Sequence, residues 1–262
     1  MRRGAIVRVV TIALLAAAVA TAVAILIPWL PDLNSKEGER IDLVFWFVVA
    51  ICIGVFAIVA AISVYSVARF RVRPDDDSDG PPIHGHTGIE IAWTAIPAIL
   101  VTAIAVVSAV ALAENGKLKD DRLVVEVTAR QFAWTFAYPS EEEAATTPED
   151  EQICKLPPER PNCPVAGTLR LPAGRQVELR LTALDVIHSF WVPQFRQKQD
   201  AVPGIVTHVA VTPLEPDQAT VVCTELCGLG HALMRAPLIV MREDEFDRWR
   251  SEQERGLQGG QG

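Results

Sequence analysis

Three long stretches of the chain carry no charged residue, and all of them lie before Glu114. They run from Val9 to Leu30, from Leu43 to Val67 and from Ile91 to Ala113. Each is long enough for the roughly 20 apolar residues that cross a bilayer as a helix. The sequence therefore predicts a membrane-embedded N-terminal part and a water-exposed remainder.

Arginines indicate which side of the membrane is cytoplasmic. They precede the first apolar stretch and follow the second, at Arg2, Arg3, Arg8, Arg69, Arg71 and Arg73. Cytoplasmic loops are enriched in Lys and Arg, so the chain after Glu114 is predicted to lie outside the cytoplasm. The first stretch has a basic start and small residues around Ala18 to Ala20, so both a signal peptide and a membrane helix stay open for it.

The composition changes divide the chain into four parts. Residues 31–40 are expected to form a short external loop, and an acidic, proline-rich run lies within the cytoplasmic loop. The predicted parts are an N-terminal hydrophobic segment at 1–31, a two-helix membrane hairpin at 41–113 with a cytoplasmic loop at 69–90, an extracytoplasmic domain at 114–242 with an insertion at 139–164, and a C-terminal helix and tail at 243–262.

Short β-branched runs separated by turn residues follow Glu114, and they predict an all-β sandwich or barrel. The predicted strands are 123–127, 132–138, 177–182, 205–211, 219–223 and 237–241. The acidic insertion at 139–164 interrupts the pattern and is predicted to be a surface excursion. Phe246 and Trp249 lie three residues apart in a charged run, which predicts a short amphipathic helix over 243–255.

Charge and cysteines restrict the partners and the compartment. From residue 114 onward the chain has 23 acidic and 16 basic residues, a net charge of −7, which favours cationic partners and argues against nucleic acid. Cys154 and Cys163 lie in the insertion, on the predicted oxidising side, so a disulfide is expected there. Cys52 lies inside an apolar stretch and is expected to be a small apolar group.

A short run near the C-terminus combines two thiols, an imidazole and a thioether: Cys223, Cys227, His231 and Met234. Thiolate and thioether sulfur select soft metals, and the thioether favours copper over zinc. A structural zinc site of two cysteines and two histidines stays an alternative. A helix with Cys223, Cys227 and His231 packed on one face is disfavoured, because Gly228 and Gly230 interrupt the run.

His188 lies 35 residues before Cys223, between apolar residues where a histidine is usually a buried polar group of the core. Around it and elsewhere the chain resembles subunit II of cytochrome c oxidase, over residues 40–250 apart from the insertion. The matching motifs are Asp185-Val-Ile-His-Ser-Phe-Trp-Val-Pro193, Lys198-Gln-Asp-Ala-Val-Pro-Gly204, the cysteine run, Glu90-Ile-Ala-Trp-Thr-Ala-Ile-Pro97 and Arg130-Gln-Phe-Ala-Trp-Thr-Phe-Ala-Tyr138.

This resemblance implies a cupredoxin-like domain that holds a binuclear copper centre, CuA. The implied side-chain ligands are His188, Cys223, Cys227, His231 and Met234, and Glu225 contributes its backbone carbonyl. The resemblance also implies that the Glu225 carboxylate helps to hold magnesium at the interface with subunit I, as suits a hard oxygen ligand.

The resemblance further implies an electron-entry subunit in a bacterial cell membrane, crossing it more than once. Such a subunit accepts electrons from a c-type cytochrome and passes them to haem in subunit I, where oxygen is reduced to water with proton translocation. Subunits I and III are the implied partners, and haem and the oxygen-reducing copper belong to the partner subunit alone. The chain is not expected to be active by itself.

Four further residues receive roles from the resemblance. Glu90 corresponds to the cytoplasmic mouth of a proton path, although an anion that stabilises the helix N-terminus is an equal alternative from sequence. Asp185 is expected to help dock a basic cytochrome. The usual electron-entry tryptophan is replaced by Phe132, with Trp134 two residues later.

Three other protein classes are disfavoured. A quinol oxidase subunit shares the topology but lacks the copper ligands, and nitrous oxide reductase needs a large additional domain. A membrane-anchored copper chaperone of the Sco type also uses Cys-x3-Cys and a histidine, but it has a thioredoxin-like βαβ core. The chain has no Cys-x-x-Cys-His haem motif, so the electron donor is expected to be another protein.

Overall fold

The computed structural model describes residues 3–71, 82, 84–156, 159 and 161–259. The chain divides into two compact units: a helical unit, Met1–Trp29 with Leu43–Ala111, and a β unit, Leu30–Asp42 with Leu112–Gly262. In the described part of the chain, three helices are long and apolar enough to cross a membrane: α1 (Arg3–Leu26), α2 (Lys36–Phe70) and α3 (Thr87–Asn115). The acidic run of the predicted cytoplasmic loop lies outside the described residues.

Two of the predicted loop boundaries are wrong. Lys36–Arg40 belongs to α2 rather than to an external loop, and Thr87–Glu90 forms the first turn of α3 rather than the end of a cytoplasmic loop. In both places charged residues extend a helix beyond its apolar middle. Charge-free stretches mark only the part of a helix that faces hydrocarbon, so helix ends predicted from them fall short of the true ends.

Among its described residues the β unit contains ten strands in two five-stranded sheets, so the predicted all-β sandwich is confirmed. One sheet has the order β3-β2-β1-β5-β8 and the other β4-β10-β9-β6-β7. The strands are β1 (Leu123–Arg130), β2 (Ala133–Ala137), β3 (Val165–Ala166), β4 (Leu169–Pro172), β5 (Val177–Ala183), β6 (His188–Trp191), β7 (Lys198–Ala201), β8 (Thr207–Val211), β9 (Asp217–Cys223) and β10 (Arg235–Met241).

Alternate residues of the strands build the core between the sheets. Leu123, Val125 and Val127 on β1 are buried, and so are Leu179 and Leu181 on β5. The parallel pairing of β1 with β5 sets these rows side by side. The opposite faces of these strands carry polar residues such as Glu126 and Glu178, so a shift by one residue would turn those residues into the core and the apolar row away from it.

Four strands escaped prediction from sequence: β3, β4, β6 and β7. All four are two to four residues long, and β6 consists of His-Ser-Phe-Trp. Short strands of mixed polarity show no clear alternation, so only their pairing with longer neighbours identifies them. The missed β6 is the strand that carries His188.

The acidic insertion is anchored to the sandwich through a buried carboxylate. It contains a short helix, α4 (Glu141–Thr146), which begins with a capping box at Ser140, and Cys154 is bonded to Cys163 with an S–S distance of 2.07 Å. Glu126 on β1 accepts hydrogen bonds from the backbone N–H groups of Ile153 at 2.6 Å and Cys154 at 2.9 Å. Burial raises the pKa of Glu126 above its ordinary value, and these two donors act against that rise.

The C-terminal helix α5 (Glu243–Gly259) packs on the sandwich through aromatic side chains. Phe246 is fully buried, and the Trp249 ring meets Tyr138 edge-on with 4.9 Å between ring centroids. The three-residue spacing of Phe246 and Trp249 predicts the helix correctly. The structure extends it four residues past the predicted end at Arg255.

The first turn of α2 and the segment before it belong to the β unit through buried polar contacts. The Glu37 carboxylate accepts hydrogen bonds from the backbone N–H of Thr212 at 2.7 Å and from its hydroxyl at 2.8 Å. Asn34 accepts the N–H groups of Leu214 and Glu215, each at 3.0 Å. A buried charge is tolerated only where such donors satisfy it, so the first turn of α2 is fixed to the loop after β8.

Replacing Glu37 by alanine is expected to destabilise the β unit. The change leaves the buried N–H of Thr212 without an acceptor, which costs about 1–3 kcal/mol of the free energy of unfolding. Urea denaturation of the full chain in detergent, followed by β-sheet circular dichroism, measures this loss. The exposed Glu39→Ala is the matched control, and equal stability of the two variants would contradict the role of Glu37.

Candidate metal centre

The predicted ligands come together because β9 lies between β6 and β10. Phe190 on β6 pairs with Cys223 on β9, and the backbone N–H of Thr224 donates to Ser189 at 2.9 Å. On the other side of β9 the backbone N–H of Cys223 donates to the carbonyl of Met234 at 3.1 Å. Three neighbouring strand ends therefore carry His188, Cys223 and Met234.

The run between β9 and β10 is a loop, as the glycines predict. It leaves β9 at Cys223, forms one turn of 3-10 helix at His231–Leu233 and enters β10 at Arg235. The alternative of a continuous helix is therefore wrong. The loop returns the second thiol to the first, with 3.9 Å between the Cys223 and Cys227 sulfurs.

Each of the two sulfurs has its own set of neighbouring donors. The Cys223 sulfur lies 3.9 Å from His188 Nδ1 and 3.3 Å from the Glu225 carbonyl oxygen. The Cys227 sulfur lies 3.7 Å from His231 Nδ1 and 3.8 Å from the Met234 sulfur. The donors are those that the sequence predicts, and the sulfur, imidazole and carbonyl chemistry suits copper.

The two imidazoles occupy different positions around the sulfur pair. Ligand atoms of His188, Cys223 and Cys227 all lie within 4.8 Å of one another, and those three residues are buried. His231 is not within that limit of all three, although its Nδ1 is close to Cys227. The full set of donors, with His231, therefore extends over a wider volume than His188, Cys223 and Cys227 alone.

Burial disfavours the charged form of the Cys227 thiol until a cation binds. Desolvation, with the neighbouring Cys223 sulfur, raises the pKa of Cys227 to about 11. Because thiolates are the metal ligands, a cation must supply the charge that stabilises them. His188 and Met234 are also fully buried, so the sulfurs are shielded from water, whereas His231 is half-buried.

Asp185 contacts a predicted ligand directly, which its expected docking role did not anticipate. One carboxylate oxygen lies 2.9 Å from His188 Nε2, and the other accepts the backbone N–H of Gln131 at 2.6 Å. Although desolvation opposes it, the hydrogen bonds from Gln131 and His188 hold the pKa of Asp185 below its ordinary value. The carboxylate thereby fixes the orientation of the His188 ring, leaving Nδ1 beside the Cys223 sulfur.

The turn between β1 and β2 covers the cysteine loop. Gln131 donates from Nε2 to the carbonyl of Cys227 at 2.5 Å, and the ring of Phe132 lies against the glycines of the loop. A Cβ on Gly230 would lie 2.5 Å from a ring carbon of Phe132. Gly228 has φ +130°, a conformation that favours glycine, and a Cβ there would also crowd Gln131. Both glycines therefore make room for neighbouring side chains.

The two aromatic residues proposed for electron entry have different environments. Phe132 is 40% exposed, whereas Trp134 is 3% exposed and lies edge-on to His188 with 6.1 Å between ring centroids.

Glu90 lies in the helical unit, where its carboxylate accepts the backbone N–H of His86 at 3.1 Å at the start of α3.

Gln131 and the exposed leucines of the loop are not among the site residues predicted from sequence. Leu226, Leu229 and Leu233 are all exposed, and we call them the leucine rim. Three exposed large apolar residues in one short loop are a signal that could have been read from sequence, whereas the contacts of Gln131 depend on the fold. Such a patch is typical of a protein interface.

Asp185→Ala is expected to weaken copper binding by about 10- to 100-fold, because the His188 ring loses the carboxylate that orients it. Competition between the full chain in detergent and a chromophoric copper chelator measures the affinity. Asp217→Ala is the matched control, since it removes an exposed carboxylate at the other end of β9. Equal affinity of the two variants would contradict the role of Asp185.

Gly230→Ala is expected to destabilise the β unit by about 1–3 kcal/mol, because the new methyl group overlaps the Phe132 ring. In a Phe132→Ala background the same change has room and should cost much less. Urea denaturation of the four proteins of this double-mutant cycle gives the coupling. Gly167→Ala is the control, since no atom lies within 4 Å of its added Cβ. If the stability losses of Gly230→Ala and Phe132→Ala simply add, the Phe132 ring is not the reason that glycine is needed at position 230.

Comparison with known proteins identifies the family. Residues 20–110 match the model of the cytochrome c oxidase subunit II transmembrane domain, and residues 123–242 match that of its periplasmic domain. Cytochrome c oxidase subunit 2 of Synechocystis is 31% identical, with 84% of this chain and 74% of that protein covered. The corresponding protein of Alkalihalophilus pseudofirmus is 36% identical over 73% of this chain and 52% of its own length.

A solved structure is also similar. The crystal structure of the periplasmic domain of subunit II of cytochrome oxidase from Bradyrhizobium japonicum has 26% sequence identity and a TM-score of 0.42, with 53% of this chain and 98% of that chain covered. The two family models and the Synechocystis relative carry the assignment. The chain belongs to the cytochrome c oxidase subunit II family and is a membrane protein with a periplasmic domain.

Proposed function

We propose that this chain is the electron-accepting subunit of a bacterial haem-copper oxidase and that its β unit holds a binuclear copper centre. In this role the chain accepts single electrons from a c-type cytochrome. It passes them to haem in subunit I, where oxygen is reduced to water with proton translocation. As a subunit of an oxidase, the chain contributes to an activity that belongs to the complex.

The observation that carries the proposal is the double set of donors around the sulfur pair. Two sulfurs 3.9 Å apart each have one imidazole nitrogen and one further donor within 3.9 Å. That makes six donors, whereas a structural zinc ion takes four. The spread of the two imidazoles and the thioether of Met234 also favour two copper ions over one zinc ion.

A copper pair bound there would supply a group that takes up and releases single electrons. The residues of the chain would hold it with little rearrangement, because the donors lie on strand ends and on a loop fixed by Gln131. Asp185 would keep the His188 ring in one orientation, and burial would exclude water from the sulfurs. A fixed, dry environment lowers the reorganisation that each electron transfer requires.

Phe132 is the better candidate for the point where electrons enter. It is partly exposed and its ring contacts the glycines of the cysteine loop, whereas Trp134 is buried beside His188. Phenylalanine is difficult to oxidise, so its role would be close contact with the donor rather than transient loss of an electron. Trp134 would act as a packing group that supports His188.

Surface chemistry supports two kinds of partner. The net charge of −7 from residue 114 onward would attract a basic cytochrome and raise its association rate.

The leucine rim would be covered by an apolar surface of oxidase subunit I or III. Glu225 is exposed beside this rim, so its carboxylate is free to hold magnesium at the interface with subunit I, while its carbonyl faces the Cys223 sulfur.

Glu90 is proposed to admit protons from the cytoplasmic side. It lies in the first turn of α3, a membrane-length helix, and its side chain is exposed. Its hydrogen bond to the N–H of His86 also agrees with a helix-capping role. Both roles suit a carboxylate at a membrane boundary, since the same position meets water and the positive end of the helix dipole.

The experiment that tests the proposal loads the full chain in detergent with copper and measures copper per chain with electron paramagnetic resonance. Two coppers and one spin shared by two copper nuclei are expected. Met234→Leu should alter the spectrum, whereas Met241→Leu, outside the donor set, should leave it unchanged. One copper per chain, or preferential retention of zinc, would contradict the proposed centre.

A further inference from the structure

A cavity of about 330 Å³ lies between α1 and α2 in the helical unit. It is at the end where α1 begins and α2 finishes, which positive-inside counting assigns to the cytoplasmic side. Its lining includes Arg8, Thr11 and Ile12 from α1 and Tyr65, Ala68 and Arg69 from α2. The cavity therefore combines two guanidinium groups and two hydroxyl groups with apolar walls.

Both arginines are exposed at this cavity. Within the described part of the chain neither forms an ion pair, and the guanidinium of Arg69 lies 5.7 Å from the centre of the Phe70 ring. The Thr11 hydroxyl donates to the carbonyl of Val7 at 2.9 Å, which leaves its oxygen able to accept. The cavity therefore offers two positive charges and a hydroxyl acceptor to an anionic group.

The surroundings restrict what that group can be. At the edge of a bilayer the apolar walls of such a cavity contact acyl chains, while arginines reach the level of the headgroups. Basic pockets between membrane helices on the cytoplasmic side bind the headgroups of anionic lipids. A helix from a partner subunit fits less well, because the cytoplasmic ends of membrane helices are themselves usually basic.

We propose that this cavity binds one anionic phospholipid, with its phosphate between Arg8 and Arg69 and an acyl chain along the apolar wall. The hydroxyl groups of Thr11 and Tyr65 are placed at the cavity to contact the headgroup. The lipid would fill the space between the two helices and hold α1 against α2. This site is independent of the copper centre and of electron transfer.

The test is native mass spectrometry of the full chain in detergent, titrated with phosphatidylglycerol or with phosphatidylcholine of the same acyl chains. We expect one tightly bound phosphatidylglycerol and little phosphatidylcholine. The double variant Arg8→Gln/Arg69→Gln should bind phosphatidylglycerol more than ten-fold more weakly, since each arginine near an anionic lipid contributes about a five-fold effect.

Two controls separate the cavity from general surface charge. Arg3→Gln/Arg71→Gln removes the same charge from exposed residues that do not line the cavity and should keep the bound lipid. Ala68→Leu keeps both charges but fills part of the cavity, and it should lose the lipid. Three results would overturn the proposal. They are equal weakening of phosphatidylglycerol binding in the two double variants, undiminished phosphatidylglycerol binding in Ala68→Leu, and an intact mass showing that the mature chain lacks Arg8.

Discussion

The candidate metal centre depends on the backbone pairing of β9 with its two neighbours. Hydrogen bonds from Cys223 to Met234 and from Thr224 to Ser189 join three strand ends that are far apart in sequence. Because strand backbones in a sheet lie about 4.8 Å apart, side chains at adjacent strand ends fall within the reach of a metal ion or a pair of ions. A weaker pairing here would separate the imidazole of His188 from both thiols.

Residues that bind no metal support this arrangement from the second sheet. The turn after β1 supplies Gln131 to the cysteine loop and to Asp185, and Asp185 in turn orients His188. The Phe132 ring packs against Gly228 and Gly230 and leaves no space for a side chain at either position. One turn therefore supports both His188, through Asp185, and the cysteine loop, so its packing helps to hold the donors in place.

The helical segments contribute more than a membrane anchor. The first turn of α2 belongs to the β unit, because Glu37 satisfies its buried charge with donors from Thr212. Arg196 similarly donates to Asp42 at 2.7 Å within the same unit. At its other end α2 carries Arg69 beside Arg8 of α1, where the cavity in the helical unit offers two cations to the lipid headgroup region.

The sequence by itself determined the three apolar helices, the β sandwich that follows and the set of donor types, because these depend on local composition, alternation and residue chemistry. It could not give the short strand that carries His188, since four residues of mixed polarity have no period. The helix ends at Lys36 and Thr87 were also missed, because tertiary contacts or capping stabilise their polar first turns. Only the tertiary structure decided that Asp185 orients His188, that Phe132 explains the glycines and that Gln131 supports the loop. The contacts of Gln131 and Phe132 join residues distant in sequence, which meet only because one sheet packs on the other. Asp185 and His188 are close in sequence, but the turn before β6 decides that their side chains meet.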